Sequence, residues 1–145
     1  MQREELEFWT GIAGQHENNR SFALPESLAQ LVRLNYSGKV KLVTGEAEVL
    51  PGIKVHWVGG HTAGLQVVSV PTAKGTVVLT SDASHFYRNI ERRDPVQIIT
   101  NLPQMLAGFE TIDALAGAKE RAVVGHDPEV AARFEQVEPG IIKIA

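Results

Sequence analysis

Three short segments carry the residues best suited to chemistry: Gly60-His61-Thr62-Ala63-Gly64, Ser81-Asp82 and Gly125-His126-Asp127. A neutral imidazole and a carboxylate are ligands for a zinc-like ion. An Asp lying between two His in sequence can bridge two such ions, which together activate water. Glycines on both sides of His61, and Gly125 before His126, allow the tight backbone turns that bring side chains together. Taken singly, each segment has an ordinary reading. A His after a strand is a common loop residue, Ser-Asp is a turn or N-cap signal, and Gly-His-Asp-Pro is a turn into a helix with proline in its first turn. Their order and their shared position at strand ends point instead to a metal site.

The elements that must position them read as follows. Gln2–Thr10 predicts a short amphipathic helix, and Asn18–Ser21 a loop. A second helix starts at Pro25 and ends near Ser37-Gly38, with Leu24, Leu28, Leu31, Val32 and Leu34 on one face. Period-two patterns then predict strands over Lys39–Val43 and Glu46–Leu50, with a turn at Pro51-Gly52. Three strands deliver the candidate ligands: 53–58 runs into His61, 76–80 into Asp82, and 122–124 into His126. The last two are continuous apolar runs, as expected of strands buried on both faces. Carboxyl ends of strands are where α/β folds place their chemistry. Phe86–Asp94 reads as a loop, Pro95–Ala118 as a longer helix, Pro128–Phe134 as a short helix and Gly140–Ala145 as a closing strand. No repeat or linker interrupts the chain, which predicts a single domain over residues 1–145 of α/β class.

Composition narrows the partners. With 14 Lys+Arg against 17 Asp+Glu the formal net charge is −3, which predicts no nucleic-acid partner. The absence of cysteine excludes disulfides, thiolate nucleophiles and Cys-ligated zinc, leaving His and carboxylate to hold any metal. The first twenty residues carry four acidic groups and no apolar core, unlike a signal peptide. No apolar run approaches the ~18 residues of a membrane helix. The expectation is a soluble, cytoplasmic protein with no membrane partner.

As a set, these residues resemble the metallo-β-lactamase superfamily, in particular its N-acyl homoserine lactonase-like branch. The segments that carry the resemblance are Gln2–Trp9, Val49–Gly64 (VLPGIKVHWVGGHTAG), Ser81–Tyr87 (SDASHFY) and Gly125–Pro128 (GHDP). The resemblance implies a truncated αβ/βα sandwich of α/β (α+β) class, a mixed β-sheet with flanking helices. It implies that His61 binds a first metal, Asp82 bridges, and His126 binds a second, with zinc as cofactor, two per complete site. The implied activity is metal-dependent opening of a small-molecule lactone or ester.

The departure is equally specific. The family's His-x-His-x-Asp-His motif, which supplies four further site residues, is absent, and the other histidines are His16, His56 and His85. The chain therefore looks like the C-terminal part of such a sandwich, inactive alone and binding metal weakly. It should leave an unpaired sheet edge and uncovered apolar surface, which predicts a homo-oligomer or pairing with a missing N-terminal half. A rival reading is a non-catalytic, stand-alone oligomeric or binding protein descended from the same enzymes. Coding sequence upstream of Met1 that runs into the missing motif would decide for the enzyme.

In the lactonase-like branch, a tyrosine near Asp82 is implied in steadying the substrate carbonyl. His85 stands nearest that position and Tyr87 just beyond, so both are candidate substrate contacts, with packing of Tyr87 on the core as the alternative. His56 alternates with Ile53, Val55 and Trp57 and reads as structural. His16 reads as solvated, and Arg88, Arg92 and Arg93 as a solvated cluster with Glu91 and Asp94 for partners.

Overall fold

The computed structural model describes residues 1–20 and 22–145. Its centre is a five-stranded mixed sheet in the order β1 (Ala47–Leu50), β2 (Ile53–Trp57), β3 (Gln66–Thr72), β4 (Gly75–Ser81), β5 (Ala122–Val124). The first four strands are antiparallel neighbours, with two-residue turns between β1 and β2 and between β3 and β4 and a longer loop, residues 58–65, between β2 and β3, whereas β5 runs parallel to β4. A parallel neighbour requires a crossover. The crossover here contains α5 (Tyr87–Arg92) and α6 (Leu102–Ala116).

Helix α6 starts with Asn101, whose side chain accepts from Gln104 N, and ends at Gly117 in the left-handed region (φ 65°). Its buried residues Met105, Phe109, Ile112 and Ala116 recur every three or four positions and pack on β3, β4 and β5. Phe109 and Ile112 join Val58, Val67, Val78, Ala83, Ile90 and Ala122 in one core cluster. Gly108 passes close to Val58, where an added Cβ would lie 3.4 Å from the Val58 Cβ.

The N-terminal helices α1 (Arg3–Thr10), α2 (Ile12–Gln15), α3 (Glu17–Arg20) and α4 (Pro25–Tyr36) precede the sheet, and α7 (Glu129–Arg133) and a hairpin of β6 (Glu135–Glu138) with β7 (Ile141–Lys143) follow it. Gln2 ties the first segment down. It is buried, donates to Gly45 O (2.9 Å) and Gln66 Oε1 (3.1 Å), and accepts from Gly45 N (3.0 Å).

Several local expectations differ from the structure. Lys39–Val43 is not a strand: its one ladder contact is a parallel bridge from Val43 to Gln2, because the N-terminal segment takes its hydrogen bonds. Glu17–Arg20 close a helical turn on His16 O, so Asn18–Arg20 are not loop, while Ser21 lies outside the described residues. Tyr87–Arg92 is helix rather than loop, closed at both ends by the buried Asn89, which accepts from Phe86 N (2.8 Å) and donates to Asp94 O (2.7 Å). Residues 95–101 do not join α6, since Thr100 N and Asn101 N donate to Gly60 O instead of continuing a helix. Strands β3 and β6 are additions, β3 occupying the centre of the sheet. In β4, Val77, Val78 and Thr80 are buried but Leu79 is exposed, so burial on both faces holds fully for β5 alone of the two.

Candidate metal centre

Each candidate ligand stands where a strand ends in a constrained turn. After β2, Gly59 and Gly60 both adopt positive φ (65° and 88°), which a side chain would resist. A Cβ on Gly60 would also lie 2.6 Å from Met105 N. Gly60 O collects three donors, Thr100 N (2.7 Å), Asn101 N (3.0 Å) and Thr100 Oγ1 (3.0 Å). The far side of the His61 loop is anchored by Glu5, whose carboxylate accepts from Gly64 N (2.8 Å) and from Trp9 Nε1 (2.6 Å). His61 is thus held from α1 and from the start of α6.

After β4, Ser81 takes a left-handed conformation (φ 48°), which is uncommon for a residue with a side chain and turns Asp82 out of the sheet. Thr80 Oγ1, fully buried, donates to Ser84 O (3.3 Å) and fixes the return. The β5 end then runs alongside this turn. Gly125 N donates to Ser84 O (3.0 Å) and His126 N to His85 O (2.9 Å). A Cβ on Gly125 would meet Ser81 O at 2.6 Å, so glycine permits the approach.

The side chains converge accordingly. His126 Nε2 lies 2.6 Å from Asp82 Oδ1, His85 Nε2 lies 3.4 Å from the same oxygen, and His61 Nε2 lies 4.0 Å from Asp82 Oδ2. His61, Asp82 and His85 each offer a donor atom within 4.8 Å of the others. The rings of His85 and His126 are 4.6 Å apart, and those of His61 and His85 5.3 Å. His61 Nδ1 and His85 Nε2 are buried without a hydrogen-bond partner. Burial pushes the His85 imidazole below its ordinary pKa, and the nearby Asp82 opposes that shift. His85 is then neutral near pH 7, the form that ligates metal. Three imidazoles and a carboxylate, with one ring nitrogen each of His61 and His85 left unpaired, fit an ion of the zinc class.

These four residues lie in a cleft of about 660 Å3 whose wall includes Trp9, Phe22, Leu24, Leu65 and Ile98. Tyr87 lies elsewhere. Its backbone N donates to Asp127 Oδ2 (2.9 Å), its ring sits 3.4 Å below the Arg133 guanidinium, and it lines a separate cavity with Ile90, Glu91 and Asp113. His56 is buried and paired with Ser69 Oγ at 2.8 Å, while His16 is exposed at the end of α2. Arg93 pairs with Asp113 rather than with its neighbours in sequence, and Arg133 takes Glu91 and Glu129. Glu5, Thr100 and Gln104, the last accepting from Gly60 N at 3.3 Å, gave no sequence signal because each bond to the His61 loop spans 40 or more residues.

No protein-family model matches the chain. It is 36% identical over 110 residues to an N-acyl homoserine lactonase of a Bacillus species, a match over 68% of this chain and 38% of that protein. The chain therefore spans well under half the length of that relative. Among solved structures, it superposes on an N-acyl homoserine lactone hydrolase carrying the product N-hexanoyl-L-homoserine at its catalytic metal centre, with TM-score 0.73 and 25% identity over 98% of this chain and 51% of the other. The fold is shared also with a dizinc quorum-quenching lactonase, at TM-score 0.59 and 19% identity over 88% of this chain and 47% of that one.

Proposed function

For a chain homologous to the N-acyl homoserine lactonases and built on their metallo-β-lactamase fold, we propose the role of a metal-dependent hydrolase component acting on a lactone or related ester. The observation that carries it is the convergence of His61, Asp82 and His126 from the ends of β2, β4 and β5. These three residues would hold zinc. When bound, such an ion polarises a carbonyl and makes water a nucleophile near neutral pH.

The chain's own residues do the rest. Asp82 stands between the histidines and faces two of them through one oxygen. Glu5 and Thr100 fix the backbone of the His61 loop, so only the imidazole itself has to adjust on binding. The apolar wall of Trp9, Phe22, Leu24, Leu65 and Ile98 suits a substrate that pairs a hydrolysable carbonyl with a hydrocarbon chain. The 145 residues contain no His-x-His-x-Asp-His run, so further donors for a dinuclear centre would come from another polypeptide segment or a second copy. The chain by itself is then a poor lactonase.

Metal content by plasma mass spectrometry, with opening of N-hexanoyl homoserine lactone followed by pH-stat, tests this on untagged protein. The expected result is zinc bound by the wild type and lost in Asp82→Asn and His126→Ala, with slow, zinc-dependent turnover. Metal content insensitive to both substitutions, or no zinc and no turnover in the wild type, overturns the reading and favours a non-catalytic binding protein.

A further inference from the structure

We infer that His85 is a metal ligand, and that His61, Asp82, His85 and His126 form a four-donor set with which this chain holds one zinc-class ion without donors from any other segment. The inference rests on the metal-site reading above and extends it to a residue set three positions after Asp82.

The backbone puts His85 there firmly. The turn from Asp82 to His85 is closed by the Thr80 hydroxyl on Ser84 O. Its outer edge is hydrogen-bonded to the β5 extension through Gly125 N and His126 N. His85 and His126 therefore rise from adjacent backbone, their rings 4.6 Å apart, with His61 across the cleft. In a tetrahedral site with bonds of about 2.0–2.1 Å, neighbouring donors stand about 3.3 Å apart. The His85 Nε2 to Asp82 Oδ1 separation, 3.4 Å, already matches that edge. His61 Nε2 at 4.0 Å needs a small inward movement, and His126 Nε2, hydrogen-bonded at 2.6 Å, a small outward one.

The state of the ring nitrogens points the same way. His85 Nε2 is buried and makes no hydrogen bond. Buried polar atoms are nearly always paired, and one that is not needs a reason. A histidine packed only as filler would turn its nitrogens to a hydrogen-bond partner, as His56 does toward the Ser69 hydroxyl. Asp82 is the one carboxylate in the group, so the His85 nitrogen is aimed at the position an ion would share with it.

The test uses the whole chain stripped of metal with a chelator and titrated with Co2+, followed by visible absorption and calorimetry. The wild type should bind one Co2+ per chain and show the intense absorption of a four-coordinate ion. His85→Ala and His85→Gln should each weaken binding by about tenfold or more and reduce that absorption, while His16→Ala leaves both unchanged. Melting of the metal-free variants separates loss of a ligand from loss of the fold. Binding and spectrum unchanged in both His85 variants, with Asp82→Asn still abolishing them, overturns this inference and leaves the metal-site reading intact. A wild type that takes up no Co2+, or uptake insensitive to Asp82, overturns both.

Discussion

Asp82 and Gly125 show how little room the centre leaves to individual residues. Asp82 faces three imidazoles, and Gly125 is the point where the β5 turn crosses Ser81 closely enough to bring His126 to it. Gly125→Ala forces a Cβ to 2.6 Å from Ser81 O. We expect a loss of about 1–3 kcal/mol on denaturant unfolding together with weaker metal binding, because the same displacement moves His126. Asp127, next in sequence, does different work. It accepts from Glu129 N (2.9 Å) and Tyr87 N (2.9 Å), and these bonds hold its carboxyl below the usual range. A carboxylate whose pKa is depressed by folding adds stability above its unfolded pKa, and that contribution is lost as pH falls through the folded value. The melting-temperature gap between wild type and Asp127→Asn should therefore be widest near neutrality and close below about pH 4. A gap constant from pH 7 to pH 3 would show that the charge is not what matters.

Between elements, the decisive joints are polar at one end of the site and apolar behind it. Helix α1 reaches the His61 loop through the Glu5 carboxylate. Glu5→Ala should cost about 1.5–3 kcal/mol, the range for a hydrogen bond to a charged group, and should lower metal affinity. Glu5→Gln, which keeps an acceptor, should recover most of both. Behind the site, Phe109 of α6 is fully buried against the sheet, so Phe109→Ala should cost about 3–5 kcal/mol. Equilibrium unfolding of the metal-free protein measures both. The helices α1, α4 and α6 were legible from spacing, although the start of α6 was expected seven residues early, and so were the strands that carry the ligands. Helix α5 and strand β3 were not. What makes α5 a helix is Asn89 bonding across both its ends, and β3 is specified by pairing with β2 and β4 on either side.

Across the molecule, one surface stands out. Alternation places Val68, Val70, Val77 and Leu79 on the sheet face opposite that of Val67 and Val78, which joins the α6 core. That opposite face keeps Trp57 and Leu79 more than a third exposed, and the edge strand β1 exposes Val49 and Leu50. Apolar surface of this kind on a sheet with a free edge favours association. Size-exclusion chromatography with light scattering should give a mass above that of one 15.8 kDa chain, reduced by Leu79→Glu without loss of the fold. A single-chain mass for the wild type would count against it. Among the described residues no helix is long and apolar enough to cross a membrane.

The sequence by itself determined which residues could meet at the centre. His61, Asp82 and His126 each follow a strand, and glycines or a Ser-Asp turn mark where the chain must bend. Those signals are local, written within five residues of each ligand. Only the tertiary structure decided the rest. Parallel pairing of β5 with β4, across a crossover of some forty residues, brings His126 to Asp82. The left-handed turn at Ser81 and the Thr80 bond to Ser84 bring His85 into the same group, and packing on the far side takes Tyr87 away from it. Spacing along a chain fixes where a side chain starts, but which nitrogen is buried and unpaired depends on the partners that surround it in space.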